Sequence, residues 1–94
     1  PRPRIDRASV RVLVVDDSAA ARAHEQAVLR KAGFADFAEA SDGAQAIAAL
    51  ASASPPFGLI VTDYNMPLMD GRGLVAYLRQ APATAAVPVL MVTT

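Results

Sequence analysis

The chain contains no cysteine. A disulfide framework, thiol chemistry and a thiolate metal site are therefore excluded. It also carries no net charge, because nine Lys and Arg balance nine Asp and Glu. That balance argues against a surface dedicated to nucleic acid. No apolar run approaches the length of a membrane span, and no signal peptide is visible, so the expectation is a soluble cytoplasmic domain. Internal repeats are missing as well. The single histidine, His24, falls in the middle of a helical segment beside Glu25 and away from any strand end. A solvated surface position suits it better than phosphotransfer. What is present is a chain of 94 residues, 53% of them apolar, enough for one core and too short for two.

Against this plain background the acidic residues stand in an informative pattern. Leu59-Ile60-Val61 reads as a buried strand and delivers the carboxylate of Asp63 to a point where Pro67 and Asp70-Gly71 force a turn. Val12-Leu13-Val14-Val15 delivers Asp16 and Asp17 in the same way. If the two strands are parallel neighbours, three acidic groups converge at the carboxyl edge of one sheet, where open α/β sheets bind ligands. Clustered carboxylates repel unless a cation or a proton intervenes. A hard divalent cation resolves the repulsion at neutral pH, Mg²⁺ first and Mn²⁺ as a substitute, with Asp63 left partly free for chemistry.

Strand and helix signals alternate along the chain. Val10 to Val15 is the first strand, and Asp17 or Ser18 caps a helix that runs to about Ala32 and stops at Gly33. Phe34 to Ala38 is a second strand. Ser41 or Asp42 caps a second helix with an apolar stripe of Ala44, Ile47, Leu50 and Ala51. Phe57 to Thr62 is the third strand. Asp70-Gly71 opens a third helix with Leu74, Val75, Leu78 and Ala81 inward, and Val87 to Thr93 is the fourth strand. Alternation of this kind implies right-handed crossovers and a parallel sheet. Residues 1–9 read as an N-terminal linker, with Arg2, Arg4 and Arg7 interleaved by Pro and Asp6, and residues 10–94 as the folded domain.

Four segments carry a resemblance across nearly the whole chain: Val14-Val15-Asp16-Asp17-Ser18, Glu39-Ala40-Ser41-Asp42-Gly43, Asp63-Tyr64-Asn65-Met66-Pro67-Leu68-Met69-Asp70-Gly71 and Pro88-Val89-Leu90-Met91-Val92-Thr93. Their order and register resemble those of response-regulator receiver domains of bacterial two-component signalling, especially the single-domain chemotaxis type. The resemblance implies a flavodoxin-like three-layer α/β sandwich with a doubly wound parallel sheet, strand order 2-1-3-4. The family order has a fifth strand, 2-1-3-4-5, and the fifth strand and last helices have no counterpart here, so the expectation is a receiver incomplete at its C-terminal end. The family's lysine and aromatic switch residue on that strand are likewise without counterpart.

The resemblance also assigns roles. Asp63 matches the phosphoacceptor, which forms an acyl phosphate when metal screens the approach of two anions. Asp16 and Asp17 match the acidic pair that holds Mg²⁺, Asn65 offers its backbone carbonyl to the metal, and Thr93 supplies the hydroxyl that hydrogen-bonds the phosphoryl group. Asp17 has a rival role as helix cap. Tyr64 gates the acceptor pocket or is a partly exposed aromatic without a role. Glu25 falls where receivers usually carry Leu, so either the face of Arg22 and Leu29 is partly solvated or the helix rotates towards Ala21, Val28 and Ala32.

The function implied is a switch and not an enzyme with a turnover substrate. It takes a phosphoryl group from a histidine kinase or histidine phosphotransfer protein, with an effector that nothing in the chain identifies and no direct role for nucleic acid or membrane. Two alternatives stand beside it: a pseudo-receiver or structural dimerisation fragment without phosphorylation competence, and a haloacid-dehalogenase-type phosphatase. The last needs Asp-x-Asp after the first strand, whereas this chain has Asp16-Asp17-Ser18. An uncovered fourth strand further implies self-association through its edge, in a homo-oligomer.

Overall fold

Continuous apolar runs mark strands covered on both faces, and such runs occupy the middle of the sheet. The computed structural model describes residues 6–52, 56–63, 71–80 and 86–92. Within them β1 (Arg11–Val15), β2 (Asp36–Ala40), β3 (Leu59–Asp63) and β4 (Val89–Val92) form one parallel sheet in the order β2-β1-β3-β4. Helices α1 (Ala19–Lys31), α2 (Gly43–Ala51) and α3 (Gly71–Gln80) alternate with the strands. This is the doubly wound α/β arrangement that the alternation of signals implies.

Side chains on a strand point to opposite faces in turn, and this divides the core in two. Leu13 and Val15 face Ala46, Leu74 and Leu78 of α2 and α3, joined by Ala40, Phe57 and Ile60. Val12 and Val14 lie on the other face with Val61, packed by Leu29 of α1 and by Phe34, Phe37 and Val92. Leu13, Val14, Ile60, Leu74 and Leu78 are sealed from solvent. Full burial of an aliphatic side chain of this kind contributes about 1.5–3 kcal/mol, which makes β1 and β3 the backbone of the fold.

Local chemistry sets the helix ends. Ser18 caps α1, its hydroxyl accepting from the Ala21 N–H at 3.2 Å. Gly33 ends it with φ 104°, a left-handed conformation that glycine adopts without cost. The Phe34 N–H then reaches back to the Leu29 carbonyl and the Gly33 N–H to the Arg30 carbonyl, the paired bonds of a Schellman stop. Asp42 caps α2 by accepting from the Gln45 N–H at 2.7 Å, and the Gln45 side chain accepts from the Ser41 N–H in return.

Several boundaries depart from expectation. β2 starts at Asp36 and not at Phe34, because the Phe34 N–H is spent on the stop of α1. β4 is confined to Val89–Val92, and β3 extends to Asp63 itself. The buried face of α2 is Gly43 and Ala46 with Ile47, Ala49 and Leu50 beside them, whereas Ala44 and Ala51 are exposed. Leu74 and Leu78 of α3 are inward as expected, Val75 is half-buried, and Ala81 lies outside the described residues. Asp6–Ser9, expected as extended linker, hold a short 3-10 turn (Arg7–Ser9) capped by Asp6, and Arg7 donates to the Ala32 carbonyl at 2.7 Å.

The rotation of α1 is settled by burial. Gln26 is buried, Arg22, Glu25 and Leu29 are half-buried, and Val28 and Ala32 face solvent. The helix keeps the face of Arg22, Glu25 and Leu29 towards the sheet and does not turn to Val28 and Ala32. That choice brings an acidic residue over the carboxyl ends of β1 and β3.

Candidate metal centre

Register assembles the site. Val15 of β1 is aligned with Thr62 of β3, so one step further along both strands Asp16 stands beside Asp63. The alternation that sends Val12 and Val14 to the α1 face sends Asp16 there too, and Val61 is followed by Asp63 in the same sense. Asp16 is 3% and Asp63 6% exposed, whereas Asp17 is open to solvent. Carboxylate oxygens of Asp16, Asp17 and Asp63 lie within 4.8 Å of one another. These three residues are brought together as the sequence implies; Asn65, Thr93 and Tyr64 lie outside the described residues.

The end of β1 is firmly held. The Asp16 N–H donates to the Ala40 carbonyl at 3.0 Å, carrying the pairing with β2 one residue past the strand. Asp16 Oδ1 accepts from the Ser18 N–H at 3.0 Å, and the Asp16 carbonyl accepts from Arg22 Nη1 at 2.6 Å. Arg22 Nε meets Glu39 Oε1 at 2.9 Å. Arg22 thus ties α1 to the ends of β1 and β2 and holds the Asp16 backbone in place. Because Ser18 takes the cap of α1, Asp17 is not the capping residue, and from an exposed position at the rim it still brings a carboxylate oxygen to the other two. On the other face of β3 the buried Thr62 hydroxyl donates to the Asp63 carbonyl at 3.1 Å.

A fourth carboxyl belongs to this centre. Glu25 reaches it from α1, and its Oε2 is closed off from water with no hydrogen-bond partner among the described residues. Two carboxylates share no hydrogen, so an ionised Glu25 gains nothing from its neighbour. Burial, then the carboxyl–carboxyl hydrogen bond with Asp16 that one proton makes available, then the charges of Asp16 and Asp63 push the Glu25 carboxyl up from 4.5 to about 7, against the pull of Arg22. Sequence reasoning placed Glu25 in the packing of α1 and missed it here, as it missed the Arg22 clamp. The signal was available: both residues lie on the sheet-facing stripe of α1, Glu25 three positions after Arg22 and seven after the Ser18 cap.

The donor set tests what such a centre can hold. It consists of carboxylate oxygens, two of them buried, with no thiolate or imidazole among its acidic residues. Hard oxygen donors at this density suit Mg²⁺ or Mn²⁺ and not a soft metal. The residues therefore fit a divalent cation held by Asp16, Asp17 and Asp63.

Residues 12–94 match the response regulator receiver domain family. This chain belongs to that family. It is similar to the chemotaxis protein CheY of Pseudomonas aeruginosa, with 40% identity over 84 residues, 89% of this chain and 66% of that protein. A gliding motility regulatory protein of Myxococcus xanthus is 39% identical over 89% of this chain, which there makes up only 10% of the whole. Among solved structures the chemotaxis response regulator CheY4 of Vibrio cholerae superimposes with a TM-score of 0.77 at 35% identity, covering 87% of this chain and 66% of that one. The receiver thus spans just under two thirds of the chemotaxis protein's length. Receiver domains act as phosphoacceptor signalling modules and bind Mg²⁺ at an acidic pocket, and in this chain the Asp cluster sits at the sheet edge where that pocket belongs. Among the described residues no helix is long and apolar enough to cross a membrane.

Proposed function

We propose that this receiver accepts a phosphoryl group on Asp63 from a phosphohistidine donor, a histidine kinase or histidine phosphotransfer protein, and acts as a cytoplasmic signalling switch. The observation that carries the reading is the convergence of the Asp16, Asp17 and Asp63 oxygens within 4.8 Å at the carboxyl edge of a parallel sheet. A carboxylate oxygen of Asp63 attacks phosphorus, the P–N bond to the donor imidazole breaks, and its electron pair leaves on the ring nitrogen. The product is an aspartyl phosphate. Asp16, Asp17, Asp63 and the carbonyl of Asn65 would hold Mg²⁺. The bound cation supplies charge neutralisation between the entering phosphoryl oxygens and the acidic cluster. Arg22 contributes by position: it fixes the Asp16 backbone through the 2.6 Å bond to its carbonyl. Thr93 would hydrogen-bond the phosphoryl oxygens.

Chemistry of this kind modifies the protein itself, so the module is a switch and not an enzyme with a turnover substrate. Acetyl phosphate with Mg²⁺ is the direct test. Intact-mass measurement should show one added phosphoryl group on the full-length protein and none on Asp63→Asn. Labelling that survives Asp63→Asn would move the acceptor elsewhere. An unlabelled wild type would favour a pseudo-receiver.

A further inference from the structure

The cation reading leaves one anionic group at the centre without a role. Glu25 extends from the sheet-facing stripe of α1, and its Oε2 is sealed from solvent without a hydrogen-bond partner among the described residues. Among the described residues the cation that acts on it is Arg22, which is shared. Arg22, one turn earlier, is engaged by Glu39 and by the Asp16 carbonyl. On the sheet side stand Asp16 and Asp63, and the rest of its surroundings, a cavity of about 200 Å³, is mainly apolar and is lined by Leu29, Val61, Leu90 and Val92 together with His24. A carboxylate with one oxygen shut off from water, beside two other carboxylates, is costly to keep charged. A doubly charged cation among Asp16, Asp17 and Asp63 turns that cost into attraction.

Resting on the cation reading above, we propose that Glu25 is an outer anionic residue of the metal centre: it does not ligate, but acts through Asp16 to strengthen the hold on a divalent cation. It is a positioning and charge-supplying residue. Outer groups of this kind orient a ligating carboxylate and deepen the negative potential at the ion, and their loss typically weakens metal binding about tenfold to a hundredfold.

Isothermal titration of the full-length protein with MgCl₂, and separately with MnCl₂, at fixed pH and ionic strength tests this. Glu25→Gln keeps the shape and removes the charge; Glu25→Leu removes the polar group altogether. Asp36→Asn is the control, an exposed acid at the start of β2, about 13 Å down the strand from its carboxyl end and beyond a Debye length at moderate salt. Both Glu25 variants should bind the cation about tenfold more weakly than wild type, and Asp36→Asn should bind it equally well. Circular dichroism identifies which Glu25 variant is folded, and either one suffices. Wild-type affinity in a folded Glu25 variant overturns the proposal, as does an equal loss in Asp36→Asn, which would make the effect one of net charge. Complete loss of binding in Glu25→Gln overturns it too, since Glu25 would then be a ligand. A wild type that binds no cation removes the metal reading and this inference together.

Discussion

Asp17 and Glu25 differ in burial and therefore in what their removal does. Asp17 is exposed at the rim, is not used as a helix cap, and offers its carboxylate to the centre. Asp17→Asn should weaken Mg²⁺ binding by about one to two orders of magnitude, the equivalent of the 1.5–3 kcal/mol typical of a charged hydrogen-bonding or ligating contact. Calorimetric titration of the two proteins checks it, and equal affinities would remove Asp17 from the site. For Glu25 the folded state holds a proton more tightly than the unfolded chain, with the carboxyl raised from 4.5 to about 7 chiefly by burial. Its contribution to stability is thus complete below about pH 4.5, shrinks as the pH rises and is lost above about pH 7. In EDTA, Glu25→Gln should therefore gain on wild type as the pH is raised through that window. Urea midpoints at pH 4.5 and pH 8 measure the gap, and a gap that stays constant or narrows contradicts the assignment.

At the scale of the element, α1 is the piece that decides the site, because it carries Arg22 and Glu25 and covers one face of β1 and β3. Its two ends are set by local chemistry and can be tested separately. Ser18→Ala removes the acceptor for the Ala21 N–H and should cost about 1 kcal/mol. Gly33→Ala meets no steric obstacle, since the nearest atom to an added Cβ is Arg7 Cδ at 3.5 Å. It should still cost about 1–2 kcal/mol, because φ 104° is a left-handed conformation that alanine resists. The two positions lie at opposite ends of α1, so denaturant unfolding of the double variant should show the sum of the two losses. A marked shortfall would mean that the helix frays as one unit.

At the scale of the whole molecule, the described residues place β4 at one margin of the sheet. Among the described residues it pairs with β3 alone. Leu90 on β4 and Val28 on α1 are each 53% exposed, on the side where the cavity of about 200 Å³ opens. An unpaired apolar strand edge is a template for another chain, and this one adjoins an apolar hollow. A polypeptide of these 94 residues should accordingly self-associate through β4, and Leu90→Lys should reduce the association. Light scattering across a concentration series measures it; a monodisperse, folded monomer at the highest concentration would sink the idea.

Much of this receiver is legible in short-range pattern. Continuous apolar runs mark β1 and β3, Ser18 and Gly33 mark the limits of α1, and the acids that follow the runs, Asp16, Asp17 and Asp63, are the ones that meet. Those signals span a few residues, so they need no knowledge of the rest of the chain. The remainder depends on contacts between segments far apart in sequence. The register of β1 against β3 sets Asp16 beside Asp63, and the stop of α1 takes the Phe34 N–H, so β2 starts at Asp36. Arg22 finds Glu39 and the Asp16 carbonyl only once α1 lies across β1 and β2. Glu25 reads as a packing irregularity along its own helix, because periodicity reports that a face is turned inward and not what stands opposite. Tertiary packing lays that face over the carboxyl ends of β1 and β3, where an acid at a usually apolar position becomes the fourth carboxyl of the acidic cluster.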